Sequence, residues 1–329
     1  MLKKIARIIV ALALFLFALW GVGALYFRAP LGQIGSYALI AAFTGIMLFA
    51  LWSVFSARKR GAAAASVAGT ALLLLGWYQT ITPSDNLEWA PDVAHRSLVT
   101  IQGDDVFIRN FRNFKWRGAY EAEQIWEDQR FSLSDVRTTD LILSYWTGPA
   151  IAHMMISFGL ADGRYYVFST EIRRKAGQEY NPFAGFFRSY TLDTIVAAES
   201  DVVKVRTNFR DEDDYRYRLD IEPKTAQRLF VSMADLTQQL EEAPEFYNTV
   251  TANCSMTPFR MMSTLQPGIA PFDPRIITVG FMPSYLYEHK FIRTDKSLEA
   301  TRAAARITEK AKAAQALDGV AFSAAIRAP

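Results

Sequence analysis

Cys254 is the single thiol of the 329-residue chain and lies in the stretch YNTVTANCSMTP, residues 247–258. A lone cysteine is either a small buried hydrophobe or a reagent. As a reagent its thiolate attacks an acyl carbon. An imidazole must then take the thiol proton, and a carboxylate must hold the imidazole in one tautomer. Three histidines are available. His95 and His289 sit among polar and aromatic residues without a partner motif and read as surface positions. His153 opens the clearest hairpin of the chain. After the cysteine, Ser255, Thr257 and Pro258 read as the cap and first turn of a helix. Such an N-terminus stabilises a thiolate and offers free N–H groups to a developing oxyanion. The bland alternatives stand beside these readings: an inert buried thiol, a histidine that merely starts a strand, and Glu171 paired with Arg173 along its own strand face. Arg173, Arg188, Arg206 and Arg210 are candidates for meeting anionic headgroups.

The elements that would position these side chains are legible in part. AHMMISFGLADGRYYVFSTEIRR (152–174) is two β-rich runs around Leu160-Ala161-Asp162-Gly163-Arg164. That sequence suits a type I turn with Gly163 in the left-handed position of a G1 bulge. Leu160 then pairs with Arg164, and counting outward sets His153 opposite Glu171 on one face. A slip of one residue would undo this pairing. Residues 97–114 read as a second hairpin around Gly103-Asp104-Asp105, and 139–146, 201–209 and 215–221 as further strands. A helix is expected over 223–243, starting at Pro223, with Leu229, Phe230, Met233, Leu236 and Leu240 at helical spacing. Residues 297–317, rich in alanine, read as a mostly exposed helix.

Half of the chain, 51%, is hydrophobic, and the excess is concentrated near the start. Ile8 to Phe27, Ile34 to Phe55 and Ala62 to Thr82 are uncharged, each long enough to cross a hydrocarbon core of roughly 30 Å. Lys3, Lys4 and Arg7 precede the first run, and Arg58, Lys59 and Arg60 separate the second from the third. The positive-inside rule therefore expects a cytoplasmic N-terminus and delivery of everything after Thr82 to the outer side. The first run is too long for a signal peptide and lacks a small-x-small cleavage site. A net charge of +3 without a basic stripe argues against nucleic acid. One cysteine precludes an intrachain disulfide, and the shortage of His and Cys leaves no expectation of a structural metal or other cofactor.

The segments PSDNLEW (83–89), SYWTGPAIAHMMISFGLADGRYYVFSTEIRR, SDVVKVRTNFR and PEFYNTVTANCS resemble, in that order, the Lnb N-terminal periplasmic domain family. The resemblance runs over roughly residues 83–265. It implies an α+β chain: three transmembrane helices (1–82), then a circularly permuted papain-like domain (83–265) with an antiparallel sheet or barrel and a cysteine-bearing helix, then a C-terminal loop and helical extension (266–329). It places the family's histidine, acidic and cysteine positions on His153, Glu171 and Cys254. The motif at Trp89 departs from the family's form, which is closer to PSNDRDW. The function implied is a periplasmic cysteine acyltransferase of the bacterial inner membrane, similar to lipoprotein transacylases and acting on lipoprotein or phospholipid acyl esters through a thioester. An acyl hydrolase using the same thioester, a cell-wall peptide amidase or peptidase of the same fold, or a non-catalytic membrane-anchored binding module, are the alternatives.

Overall fold

A computed structural model describes residues 2–56, 58–84, 86–249, 251, 253, 273–292 and 294–329. Cys254 and the cysteine-bearing helix expected after it lie outside the described residues.

The three apolar runs form helices α1 (Leu2–Arg28), α2 (Gly32–Ser56) and α3 (Arg60–Gln79), all long and apolar enough to cross a membrane. They extend past the uncharged runs because lysine and arginine are good helix formers and their heads can reach the interface. Leu25, Phe43, Met47 and Leu74 form the seam between the three helices. Gly21 is needed there, since a Cβ would come within 2.5 Å of the Phe43 ring. The chain divides into two compact units, Met1–Ser84 with Tyr180–Ser189, and Asp85–Glu179 with Tyr190–Pro329. The segment 180–189 thus packs with the helices. Phe187 stacks on Phe27 with ring centroids 5.2 Å apart. Arg188 donates from one Nη to the carbonyls of Tyr78 (2.8 Å) and Ile81 (3.1 Å) at the end of α3, where helical carbonyls have no helical partner.

The second unit is built on a sheet. Its strands are β1 (Leu98–Gln102), β2 (Asp105–Arg112), β3 (Lys115–Trp116), β4 (Ala122–Glu123), β5 (Trp126–Ser132), β6 (Val136–Thr147), β7 (Ile151–Leu160), β8 (Tyr165–Arg173), β9 (Thr191–Ala198) and β10 (Asp213–Arg218). Among the described residues the main sheet runs β1-β2-β9-β8-β7-β6-β10, with β5 paired to β2, and β3-β4 is a separate small ribbon. The pairs are antiparallel except β2 with β9, which meet in parallel at Arg112 and Ala197. The β7–β8 register is the one the turn chemistry predicts, with Met155 facing Ser169 and Gly159 facing Tyr165. The Leu160 N–H bonds the Arg164 carbonyl at 2.9 Å, and Gly163 has φ of 87°.

Both faces of the sheet are covered. Helix α5 (Pro223–Glu242) buries Leu229, Phe230, Met233, Leu236 and Leu240, the five positions expected. Phe230 meets Phe158, Phe168 and Phe131 edge-on at 5.2, 5.2 and 5.5 Å. Such contacts contribute about 0.5–1.5 kcal/mol each beyond area burial. The other face packs Ile142, Met155, Val167 and Ile195 against α4 (Glu199–Lys204) and the C-terminal helices.

Two expectations are corrected here. Residues 201–209 are not a strand but α4 continued by a π-helical turn, Val205–Phe209. Its valines suggested a strand; burial of Val202 and Val203 on the sheet outweighs that propensity, and Asp201 accepts from Arg112, Phe114 and Trp116. Residues 297–317 are not one exposed helix. After α6 (Pro274–Ile277) and α7 (Met282–Glu288) come α8 (Leu298–Ala305), α9 (Thr308–Ala313) and α10 (Gly319–Ala325). Ile307, Ala311, Ala314, Phe322 and Ile326 are buried in the core. The helix breaks at Arg306-Ile307 because the Ile307 N–H bonds the Asp214 carbonyl of β10 at 2.9 Å.

Candidate active site

Directly opposite residues of an antiparallel sheet project to one face. Asp214 faces Ser144 across β10–β6, and Ser144 faces His153 across β6–β7. Glu171 faces Asp193 across β8–β9. Continuing the β7–β8 register by two residues puts Glu171 beside His153. Five neighbouring strands thus contribute a single row of polar side chains at one end of the sheet.

Within this row, His153 Nε2 lies 2.7 Å from the Ser169 hydroxyl and 3.3 Å from Glu171 Oε1. The Ser169 hydroxyl donates to the same Oε1 at 2.6 Å. Its one proton is therefore committed, so the bond to His153 requires an N–H at Nε2. Assigned from this pattern, the neutral imidazole carries its proton on Nε2 and its basic lone pair on Nδ1. Arg206 donates a third bond to Glu171 Oε1 at 3.2 Å. Burial alone would raise the Glu171 pKa; His153, Arg206 and the Ser169 hydroxyl outweigh it and hold this carboxyl well below the ordinary carboxylate range. Glu171 is thus an anion positioned to stabilise an imidazolium. Arg206, only 5% exposed, is also 3.9 Å from Glu212, whose carboxylate accepts from Ser144 at 2.6 Å.

Asp214 closes the row on the β10 side. It is fully buried, neither carboxyl oxygen accepts a hydrogen bond among the described residues, and burial pushes its pKa up to about 7. Beyond Glu171 on β8, Arg173 donates to the Val93 and Ala94 carbonyls, lies 3.7 Å from Asp193 and covers the Trp89 ring at 4.5 Å. Residues 88–90 run beside 174–176, with Ala90 N–H bonded to Arg174 O at 2.9 Å and Ala176 N–H to Glu88 O at 2.8 Å. The PSDNLEW stretch therefore braces the end of β8.

The cysteine arm is anchored at the same end. Tyr247 N–H bonds the Tyr190 carbonyl at 3.0 Å, Leu192 N–H bonds Glu245 O at 2.7 Å, and Phe246 bridges Thr191. Cys254 itself is among the residues not described. Where the other candidates fall is plain. His95 and His289 are exposed, against the rings of Trp126 and Tyr285. The four arginines considered for headgroups do other work: Arg173 and Arg206 are buried in ion pairs, Arg188 caps α3, and Arg210 donates to the Ala119 carbonyl over Trp116. Sequence reasoning missed Ser169, although its place two residues before Glu171 on the same strand face was a usable signal.

Residues 122–280 match the model of the Lnb N-terminal periplasmic domain family. That stretch is similar to a Lnb N-terminal periplasmic domain. The match begins later than the resemblance at 83–89 and runs further toward the C-terminus, across His153, Glu171 and the position of Cys254. No curated protein and no solved structure matches the chain. The three candidate membrane helices ahead of a Lnb-type domain make this an inner-membrane protein with a periplasmic domain.

Proposed function

We propose that this Lnb-type protein is a cysteine acyltransferase of the inner membrane, acting on lipid or lipoprotein acyl esters, with its N-terminus cytoplasmic. The observation that carries the reading is the His153–Ser169–Glu171 arrangement, in which the imidazole is held with a basic Nδ1 and an anion behind it. Cys254 stands seven residues beyond Tyr247, which is bonded at the same end of the sheet. Nδ1 takes the thiol proton, and the thiolate adds to the ester carbonyl. The carbon–oxygen bond then breaks, and the departing alkoxide takes the proton back from the imidazolium. A thioester remains on Cys254. An amine, such as a lipoprotein N-terminus, attacks it, gives its proton to His153 and leaves as the amide, with the thiol restored.

The test is intact-mass analysis of the purified full chain after incubation with phospholipid. Wild type gains one acyl mass that hydroxylamine removes; Cys254→Ala and His153→Ala do not. Equal acylation of wild type and Cys254→Ala would overturn the proposal. Fusions of a periplasm-dependent reporter after Ala57 and after Thr82 test the orientation, with activity expected only from the second.

A further inference from the structure

The helical unit has a charge pattern that the acyl-transfer reading does not use. Residues 1–84 and 180–189 contain no Asp or Glu, yet they carry Lys3, Lys4, Arg7, Arg28, Arg58, Lys59, Arg60 and Arg188. Arg28 and Arg188 are occupied with backbone carbonyls. Three of the others converge. Lys3 and Arg7 lie one turn apart on one face of α1, and Arg60 begins α3. All three line an open cleft of about 730 Å³ between α1, α2 and α3. Its deeper wall is apolar, with Leu14, Val54 and Val67, and alanines on α3 leave the space. The Ser53 hydroxyl in that wall is turned to the Ala50 carbonyl at 2.8 Å and so presents no unmet donor.

Three cations around one opening repel each other, and burying a neighbouring apolar cleft raises the cost. This unit has no carboxylate to offset them. Among the described residues Arg60 has a single 3.4 Å bond, to the Val54 carbonyl. The counter-charge must come from outside the chain, and the apolar interior selects an anion that carries a hydrocarbon tail. Inorganic phosphate would leave the apolar wall empty.

We infer that the cleft between α1, α2 and α3 is a binding site for one anionic glycerophospholipid from the leaflet on the N-terminal side. Its phosphate lies between Lys3, Arg7 and Arg60, and an acyl chain fills the cavity beside Leu14, Val54 and Val67. Basic pockets between transmembrane helices are suited to anionic headgroups, each cation near the surface contributing about 1 kcal/mol.

The experiment is native mass spectrometry of the full chain, released from nanodiscs holding equal phosphatidylglycerol and phosphatidylcholine. Wild type is expected to retain phosphatidylglycerol at least about tenfold over phosphatidylcholine. Lys3→Gln/Arg7→Gln/Arg60→Gln should lose that preference. Lys4→Gln/Arg58→Gln/Lys59→Gln removes the same charge outside the cavity and should keep it. Ala64→Trp, which fills the cavity and leaves every charge, should expel the lipid and covers the case in which the first triple variant does not fold. Equal retention of both lipids by wild type overturns the inference. So does equal loss in the two triple variants, which would mean diffuse surface charge, or displacement by millimolar inorganic phosphate, which would mean a free-anion site.

Discussion

Glu171 receives the Ser169 hydroxyl, an Arg206 N–H and the His153 ring on one oxygen, all within 3.3 Å. Ser169 is the intermediary, so the variants should rank. Ser169→Ala keeps the 3.3 Å contact between ring and carboxylate and is expected to slow acyl transfer roughly tenfold. Glu171→Ala removes the anion and should slow it at least about 100-fold. Single-turnover acylation of Cys254 measures both. The depressed Glu171 pKa also has a sign. Its stabilisation is present above the unfolded carboxylate value and is lost as pH falls through the lower folded one, so Glu171→Gln should flatten the acid limb of melting temperature against pH. Asp214 has the opposite sign. With its pKa raised to about 7, its neutral form favours folding at low pH, and that contribution is lost as pH rises from the ordinary carboxylate value through about 7. Ser144, Arg206, Glu212 and His153 are the groups around it. Asp214→Asn should match wild type near pH 3 and be more stable at pH 8 by on the order of 4 kcal/mol. His153 opposite Glu171 was readable because one turn fixed the register. Arg206 and Asp214 were not, because each comes from an element whose approach to the row is a matter of packing.

At the scale of elements, local chemistry was a good guide wherever it was self-sufficient. Pro223 began α5 as expected, and Gly103 and Gly163 turned their hairpins with φ of 63° and 87°. Gly163→Ala should therefore cost more than about 1 kcal/mol in melting experiments, from the strained φ and from Val320, which a Cβ would approach to 3.2 Å. Where an element depends on a distant partner, the local reading failed. Residues 201–209 are rich in β-branched side chains, yet they coil because Asp201 is fully buried and satisfied by Arg112, Phe114 and Trp116. The C-terminal alanines looked solvent-facing because small residues carry little hydrophobic signal. Ala311 and Ala314 are nonetheless buried, and Arg327 ties the following helix to Glu199 and Asp140. Arg327→Ala leaves the buried Glu199 carboxylate without its guanidinium, while Asp140 keeps Arg216 and Arg218, and should destabilise the unit by about 3 kcal/mol, read by urea denaturation.

For the molecule as a whole, the division into a helical unit and a sheet unit was written in the hydropathy, but the insertion of residues 180–189 was not. That segment lies between β8 and β9 in sequence and packs with the helices through Phe187 and Arg188. Phe183 and Phe186 are exposed at 66% and 43%. A protein comprising residues 85–329 alone is accordingly expected to float with liposomes. Replacing 180–189 with a Gly/Ser linker should leave it in the soluble fraction.

The Arg327 clamp bears on how the chain comes to be folded at all. Its partners Glu199 and Asp140 precede it by 128 and 187 residues. At a synthesis rate of about 5–20 residues per second, Glu199 leaves the ribosome roughly 6–25 s before the guanidinium that neutralises it. The strands can pair in that interval, but the face that α8, α9 and α10 cover stays wet until those helices and Arg327 arrive. Membrane insertion therefore comes first and closure of the sheet last, and for that interval the nascent domain is exposed to proteases and chaperones.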